Sequence, residues 1–292
     1  MMRQLDPLPE PLRSGPFATR QALEAGVAAR RLRRQDLSRP LRGFRVPKDE
    51  DGVLARCHAY AAHRGTDFAF SHTTAASFYG IPLPWQDEVI HVSVRAPGRA
   101  PTIAGFAGHK LGLWRIRTVH GLPMTTPEQT WIDLAQILHR DALVAAGDFL
   151  VSGADPLTDR LALAQELAAS AGRRGVGRAR EALEFVRAGA ESPGETRLRL
   201  VLAQAGLPSP LLNYELWDGQ RAFVARVDFA FPSHRVALEY EGDIHRVDQA
   251  TWRKDIRRRE RVEDLGWRMV RVTADDVARP AELIRRLRRL LA

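Results

Sequence analysis

Hydrophobic and polar positions are patterned most clearly over the last hundred residues. Leu198, Val201, Leu202 and Ala205 follow Ser192-Pro193-Gly194-Glu195 at helical spacing, and Gly206 with Pro208 ends that run. Leu212 to Trp217 then reads as a strand, Asp218-Gly219 as a hairpin turn, and Phe223 to Phe231 as a second strand. Pro232-Ser233-His234 turns the chain into a third strand, Arg235 to Glu241. A basic helix is expected over about Gln249 to Asp264, closed by Gly266, followed by a fourth strand from Trp267 to Val272. Leu283, Ile284, Leu287 and Leu290 stripe a final helix from Pro280 to Leu291. The predicted order is helix, three-stranded meander, helix, strand.

The first fifty residues have a different rhythm. Pro7, Pro9, Pro11 and Pro16 mark an irregular lead-in. Thr19 can cap a short helix, Arg20 to Ala25, which Gly26 breaks. A second helix is expected from Val27 to Arg34, carrying Arg30, Arg31, Arg33 and Arg34. Leu41 to Pro47 is a strand pattern around Gly43. Two short helices joined at a glycine, then a small hairpin, describe a winged helix-turn-helix whose basic second helix would enter the major groove.

Between these ends the pattern is mixed. Ser71-His72-Thr73-Thr74-Ala75-Ala76 starts a helix that Gly80 and Pro82 stop, and Val89 to Val94 alternates like a strand. Leu113 to Val119 reads as another strand, and Thr126-Pro127 with Gln129 opens a helix that is expected to run to about His139. Residues 141–190 read as Ala- and Leu-rich helices, interrupted at Gly172 to Gly177. The expected division is a winged helix-turn-helix at 1–50, an α+β domain at 51–150, a helical connector at 151–189 and a last domain at 190–292. The fold class is mixed α/β.

Composition narrows the function. The chain has 292 residues, 45% hydrophobic and 27% charged, which excludes a disordered or collagen-like protein. Cys57 is the single cysteine, so neither an intrachain disulfide nor a cysteine-rich zinc module is available. No apolar run reaches the ~18 residues of a membrane span, and the first residues lack an apolar signal core. A cytoplasmic, nucleoid-associated protein without a membrane partner is expected. The net charge is +9, with +5 in residues 1–50 and +6 in residues 251–292. Charge gathered at both ends points to DNA as the partner, through two separate contacts.

The chemistry is concentrated in the two strands on either side of Pro232. Alternation puts Arg226, Asp228 and Ala230 on one face, with Val227, Phe229 and Phe231 on the other. Ala237, Glu239 and Glu241 likewise share a face opposite Val236, Leu238 and Tyr240. A tight turn makes these strands antiparallel neighbours, so Asp228 and Glu239 project together. Two acids in otherwise apolar strands are costly unless paired or bound to a cation, and hard oxygen donors suit Mg²⁺ or Mn²⁺. Such an ion can promote phosphodiester hydrolysis. Gly242 lets the chain bend away, which brings His245 near as a general acid or base, with Glu241 as a further candidate for proton movement. Arg253, Lys254, Arg257 and Arg258 on the following helix are candidates for phosphate contacts. His72, His91, His109 and His120 match no compact ligand spacing and are expected to be scattered.

Glu195, Val227-Asp228-Phe229, Glu239-Tyr240-Glu241-Gly242-Asp243-Ile244-His245, Asp255 with Arg258, and Leu265-Gly266-Trp267-Arg268-Met269-Val270-Arg271 together resemble the domain of unknown function 559 group. That group belongs with the very-short-patch-repair-like endonucleases of the PD-(D/E)XK superfamily. The resemblance covers about residues 190–280. It implies a restriction-endonuclease-like αβββαβ fold and metal-dependent DNA cleavage. Asp228 and Glu239 would be metal ligands, Glu195 a helix-borne acid at the site, and His245 an accessory catalytic residue; the alternative for Glu195, three residues after Ser192, is a capping box. Position 241 departs from the pattern, being Glu where the superfamily has lysine, and Val227 stands in place of proline.

Residues 17–150 also resemble the antitoxin-like proteins of the type IV abortive-infection group, through Phe17-Ala18-Thr19-Arg20, Arg42-Gly43-Phe44, Ser71-His72, Gly121-Leu122-Pro123 and Thr126-Pro127. This second resemblance implies a DNA-binding winged helix and transcriptional autoregulation, and leaves any toxin or other protein partner unidentified. The leading expectation is a Mg²⁺-dependent DNA endonuclease or nickase. The alternative is a DNA-binding regulator or antitoxin-like protein with an inactive nuclease-fold module.

Overall fold

A computed structural model describes residues 7–242 and 249–292, the side chains of 249–256 excepted. Helices and three sheets alternate along the chain, a mixed α/β architecture. The chain divides into two compact units, Met1–Tyr79 with Trp85–Thr130, and Gly80–Pro84 with Trp131–Ala292. No helix among the described residues is long and apolar enough to cross a membrane.

The first unit opens with β1 (Phe17–Ala18), α1 (Thr19–Glu24), β2 (Leu37–Ser38) and β3 (Phe44–Pro47), whose strands form a sheet in the order β1-β3-β2. Leu8, Leu12, Phe17, Ala22, Leu32 and Leu37 fill the small core beneath. Gly26, at φ +80°, stops α1, and the Val27 N–H reaches back to the Ala22 carbonyl. The helix expected over Val27–Arg34 does not form. That segment makes only a 3₁₀ turn, Arg31–Arg33, because Leu32 enters the core and Arg31 turns inward to Asp36.

The unit continues with α2 (Val53–Arg64), β4 (Phe68–Phe70), α3 (His72–Tyr79), β5 (Ile90–Arg95), β6 (Phe106–Leu111), β7 (Ile116–Val119) and β8 (Leu122–Thr125). These strands form one sheet in the order β6-β5-β4-β8-β7. Strands β5 and β6 run parallel, with His91 opposite Ala107 and Ser93 opposite His109. The start of α3 is tied to β5 by two bonds, Ser71 N–H to the His91 carbonyl (3.1 Å) and His91 N–H to Thr74 Oγ1 (2.8 Å).

Helix α4 (Pro127–Leu134) is capped by Thr126 and is shorter than expected, since His139 caps the next helix instead. The second unit then holds α5 (Arg140–Val151), α6 (Arg160–Ala169), α7 (Val176–Phe185) and α8 (Pro193–Gln204). Helices α6 and α7, within the segment expected as a connector, belong to this unit. Asp148 of α5 lies in the interior against Arg199 and Thr196 of α8, and accepts the Arg187 N–H. After α8 come β9 (Leu211–Trp217), β10 (Phe223–Phe231), β11 (Val236–Glu241), α9 (Gln249–Asp264), β12 (Arg268–Thr273), α10 (Ala274–Ala278) and α11 (Ala281–Leu290).

The four strands form a sheet in the order β12-β11-β10-β9, antiparallel except for the β11–β12 pair. Leu198 and Leu202 of α8 with Leu283 and Leu287 of α11 cover one face, against Phe229, Phe231, Val236 and Leu238. Val262 of α9 packs on the other, against Ala230, Ala237 and Met269. Val227 joins this second layer while Phe229 and Phe231 join the first, so the alternation expected along β10 slips beside Asp228. Adjacent β9 is irregular there as well, since Asn213 takes a left-handed conformation at φ +48°.

Candidate functional site

Strand pairing puts Phe229 opposite Leu238, so Asp228 and Glu239 are cross-strand neighbours one step further on. Both line a cavity of about 270 Å³ together with Tyr240, Glu241, Arg258, Arg259, Met269 and Arg271. Asp228 Oδ2 accepts the Tyr240 N–H at 2.8 Å. Burial pushes the Asp228 carboxyl above its ordinary range, while the Tyr240 N–H and the Arg258 guanidinium pull the other way. Burial raises Glu239 too; Arg258 opposes this and Asp228 adds to it. Glu239 Oε1 is ion-paired with Arg258, whose NH2 group also donates to the Arg226 carbonyl at 2.6 Å.

Glu195 stands at the N-terminus of α8. Ser192 Oγ accepts the Glu195 N–H (3.1 Å) and donates to Glu195 Oε1 (2.8 Å), while Oε2 accepts the Glu191 N–H (2.8 Å). Its carboxylate is thus engaged in capping its own helix. Burial raises its pKa, the two hydrogen bonds lower it, and the Asp228 and Glu191 charges raise it again. The close approach depends on Gly194, where a Cβ would overlap the Tyr240 ring. Glu241, at the end of β11, is paired with Arg271 at 2.8 Å.

The structure therefore gathers Asp228, Glu239, Glu241 and Arg258 in one cavity, with Glu195 in electrostatic reach of Asp228. Arg257 is exposed on α9. His245 and the side chains of Arg253 and Lys254 lie outside the described residues. In the first unit Arg30, Arg33 and Arg34 are exposed. Arg31 is not available to a DNA backbone, because it is 8% exposed and holds Asp36 by two bonds of 3.0 and 2.7 Å.

A second cluster corrects the expectation of scattered histidines. His72, His91 and His109 lie with candidate ligand nitrogens within 4.8 Å of one another. His91 Nδ1 is 2.9 Å from His109 Nε2, and the His72 and His109 rings stack with centroids 3.8 Å apart. His120 lies elsewhere, against Phe78. Spacing rules built for ligands on one helical turn miss this set, since its members come from α3, β5 and β6. The available signal was positional: His91 sits in an alternating strand one step from buried Ser93, and Ser71-His72 opens a helix of small residues.

No protein-family model matches the chain. It is 32% identical over 245 residues to "Uncharacterized protein Rv2248" of Mycobacterium tuberculosis (strain ATCC 25618 / H37Rv), which covers 83% of this chain and 88% of that protein. The same identity and coverage relate it to "Uncharacterized protein MT2308" of Mycobacterium tuberculosis (strain CDC 1551 / Oshkosh). The chain belongs to the family of these proteins. Among solved structures, "Crystal structure of RV2827C protein from Mycobacterium tuberculosis" shares 18% identity over 72% of this chain and 85% of that one. Its TM-score is 0.44, a likeness too loose to bear on the site.

Proposed function

We propose that the second unit is a divalent-metal-dependent DNA endonuclease or nickase. The observation that carries this reading is the pair Asp228 and Glu239, on neighbouring strands, facing one cavity while both carboxyls are raised by burial. Their donors are all oxygen, the set that a hard Mg²⁺ or Mn²⁺ ion prefers. Bound there, such an ion supplies Lewis acidity toward phosphate and acidity to water. The chain's own groups do the rest. Arg258, Arg259 and Arg271 rim the cavity and can orient a phosphodiester by charge-assisted bonds. Glu241 can hold or pass a proton at the strand end. The order α8, β9 to β11, α9, β12 supports the reading, because it is the αβββαβ order that the nuclease resemblance implies.

DNA is the substrate class favoured by the charge at the chain's ends and by exposed Arg30, Arg33 and Arg34 beside a small wing-like sheet. A second reading keeps DNA binding and drops catalysis. It rests on Arg258, which already neutralises Glu239, and on Glu241 standing where a lysine is expected. Plasmid nicking separates the two. Relaxation of supercoiled DNA that requires Mg²⁺ or Mn²⁺, stops in EDTA and disappears in Glu239→Ala supports the nuclease. Salt-sensitive DNA binding with no cleavage of duplex, single-stranded or mismatched DNA supports the regulator.

A further inference from the structure

We propose that His72, His91 and His109 of the first unit form a binding site for a borderline divalent transition ion of the zinc type, with Asp87 as the outer partner that orients His91. The site is separate in residues and in donor chemistry from the carboxylate cavity, and it does not rest on nuclease activity.

Geometry carries the inference. Asp87 is fixed on three sides. Its Oδ1 accepts the Val89 N–H (3.0 Å), and its Oδ2 accepts the Thr73 hydroxyl (2.8 Å) and faces His91 Nε2 (3.1 Å). A carboxylate only accepts, so Nε2 of His91 must carry the ring proton. The lone pair of a neutral His91 is then on Nδ1, directed at His109 Nε2 2.9 Å away. A metal-bound imidazole typically shows this arrangement, one nitrogen toward the ion and the other donating to a carboxylate. His72 adds the third ring, with Nδ1 3.0 Å from Ser71 Oγ, which in turn accepts from Ser93 Oγ at 2.7 Å. The His72 backbone is left-handed, at φ +52°.

The nitrogens are near enough to share an ion once the His72 ring turns out of its stack on His109, so that the in-plane lone pairs converge. Nitrogens bound at about 2.0–2.1 Å around a tetrahedral ion stand about 3.3 Å from one another. The His91–His109 pair needs to open by a few tenths of an ångström, and the remaining ligand atoms already lie within 4.8 Å. On coordination His109 moves its ring proton from Nε2 to Nδ1, so a neutral ring changes tautomer without net proton release. His72 is buried, the His91 side chain is 12% exposed, and partly exposed His109 gives access from solvent. Burial lowers the pKa of His91 more than Asp87 raises it, and His109 is pushed down to about 4 by burial and by His91. The His91 and His109 rings are therefore neutral near pH 7, as ligands must be. Nitrogen donors disfavour Mg²⁺ and favour zinc, cobalt or nickel.

The test is titration of tag-free, EDTA-treated protein with Co²⁺, followed by its visible absorption and by displacement with Zn²⁺. The expected result is one equivalent of bound ion with a tetrahedral spectrum. His109→Gln should abolish it, and Asp87→Asn should weaken it about 10–100-fold, with the circular dichroism of both variants unchanged. No saturable Co²⁺ spectrum in the wild type, or an unchanged one in folded His109→Gln, overturns the proposal. If His109→Gln does not fold, imidazole ring ¹⁵N shifts of the wild type decide. Zinc-induced shifts at three histidines uphold the site, and unmoved rings overturn it.

Discussion

The histidine cluster and the carboxylate cavity answer the same problem, polar chemistry away from water, in opposite ways. In the first unit burial favours the neutral form of several groups, and the carboxylate of Asp87 beside His91 is the charged exception at the cluster. Burial pushes Cys57 up to about 12, raises the phenols of Tyr60 and Tyr79, and lowers His91 and His109. In the second unit several buried acids are paired with arginines. Asp148 has Arg199, Asp133 has Arg173, and Glu239 has Arg258. A neutral imidazole costs little to bury and keeps a lone pair for a borderline ion, whereas a carboxylate is costly to bury and suits a hard one. Donor type, more than pocket shape, separates the two proposed sites.

The second unit also contains its own contrast, between a saturated acid and an under-served one. Asp148 receives the Arg187 N–H, the Thr196 hydroxyl and the Arg199 guanidinium. Among the described residues Asp228 accepts a single hydrogen bond, from the Tyr240 N–H, and the Arg258 charge only partly offsets its burial. The largest expected effect follows from the saturated one. Asp148→Ala strands buried Arg199 and should cost about 3–5 kcal/mol in urea unfolding. A change within about 1 kcal/mol would erase the distinction. Asp228→Asn should instead lower metal-dependent nicking by about 10²–10³-fold, measured as initial rate of plasmid relaxation. Gly194→Ala should destabilise by about 1–3 kcal/mol, since the new methyl meets the Tyr240 ring, and thermal melting reads this directly.

A smaller effect has the opposite sign. In metal-free protein Asp228→Asn should raise the melting temperature slightly, because it removes a carboxyl whose burial is poorly compensated and keeps an acceptor for Tyr240. A fall in melting temperature would place Asp228 with Asp148 as a structural acid. Least of all should happen at Cys57. Its buried, protonated thiol should stay unreactive toward a disulfide reagent at pH 8 until the protein unfolds, which a thiol titration with and without denaturant checks.

Much of the carboxylate site was legible in the chain. The strand Arg235 to Glu241 reads apolar-in and acid-out, and β11 keeps that alternation, with Val236 and Leu238 in one layer and Ala237 in the other. Period-2 patterning survives because a strand buried on both faces leaves it no freedom. Alternation along β10 was less secure, and Val227 changed layers where Asn213 makes the neighbouring strand irregular. The arginine helix expected at Val27–Arg34 was lost to a contest that local propensity does not record. Leu32 gains more from the core, and Arg31 from Asp36, than a second turn of helix could return.

The sequence by itself determined the mixed α/β class, the order of elements from α8 to β12, and the strands that would carry Asp228 and Glu239. Local rules suffice for these, because periodicity, caps and turn residues act over a few positions. Tertiary structure decided which charges are spent. It closed Arg31 onto Asp36 and set Arg258 on Glu239, whereas the cap made by Glu195 follows from its place three residues after Ser192. It also brought His72, His91 and His109 together, through the parallel register of β5 and β6 and the seating of α3 on β5. Such meetings depend on strand partners and helix seating that no short-range pattern encodes, so only the folded chain could reveal them.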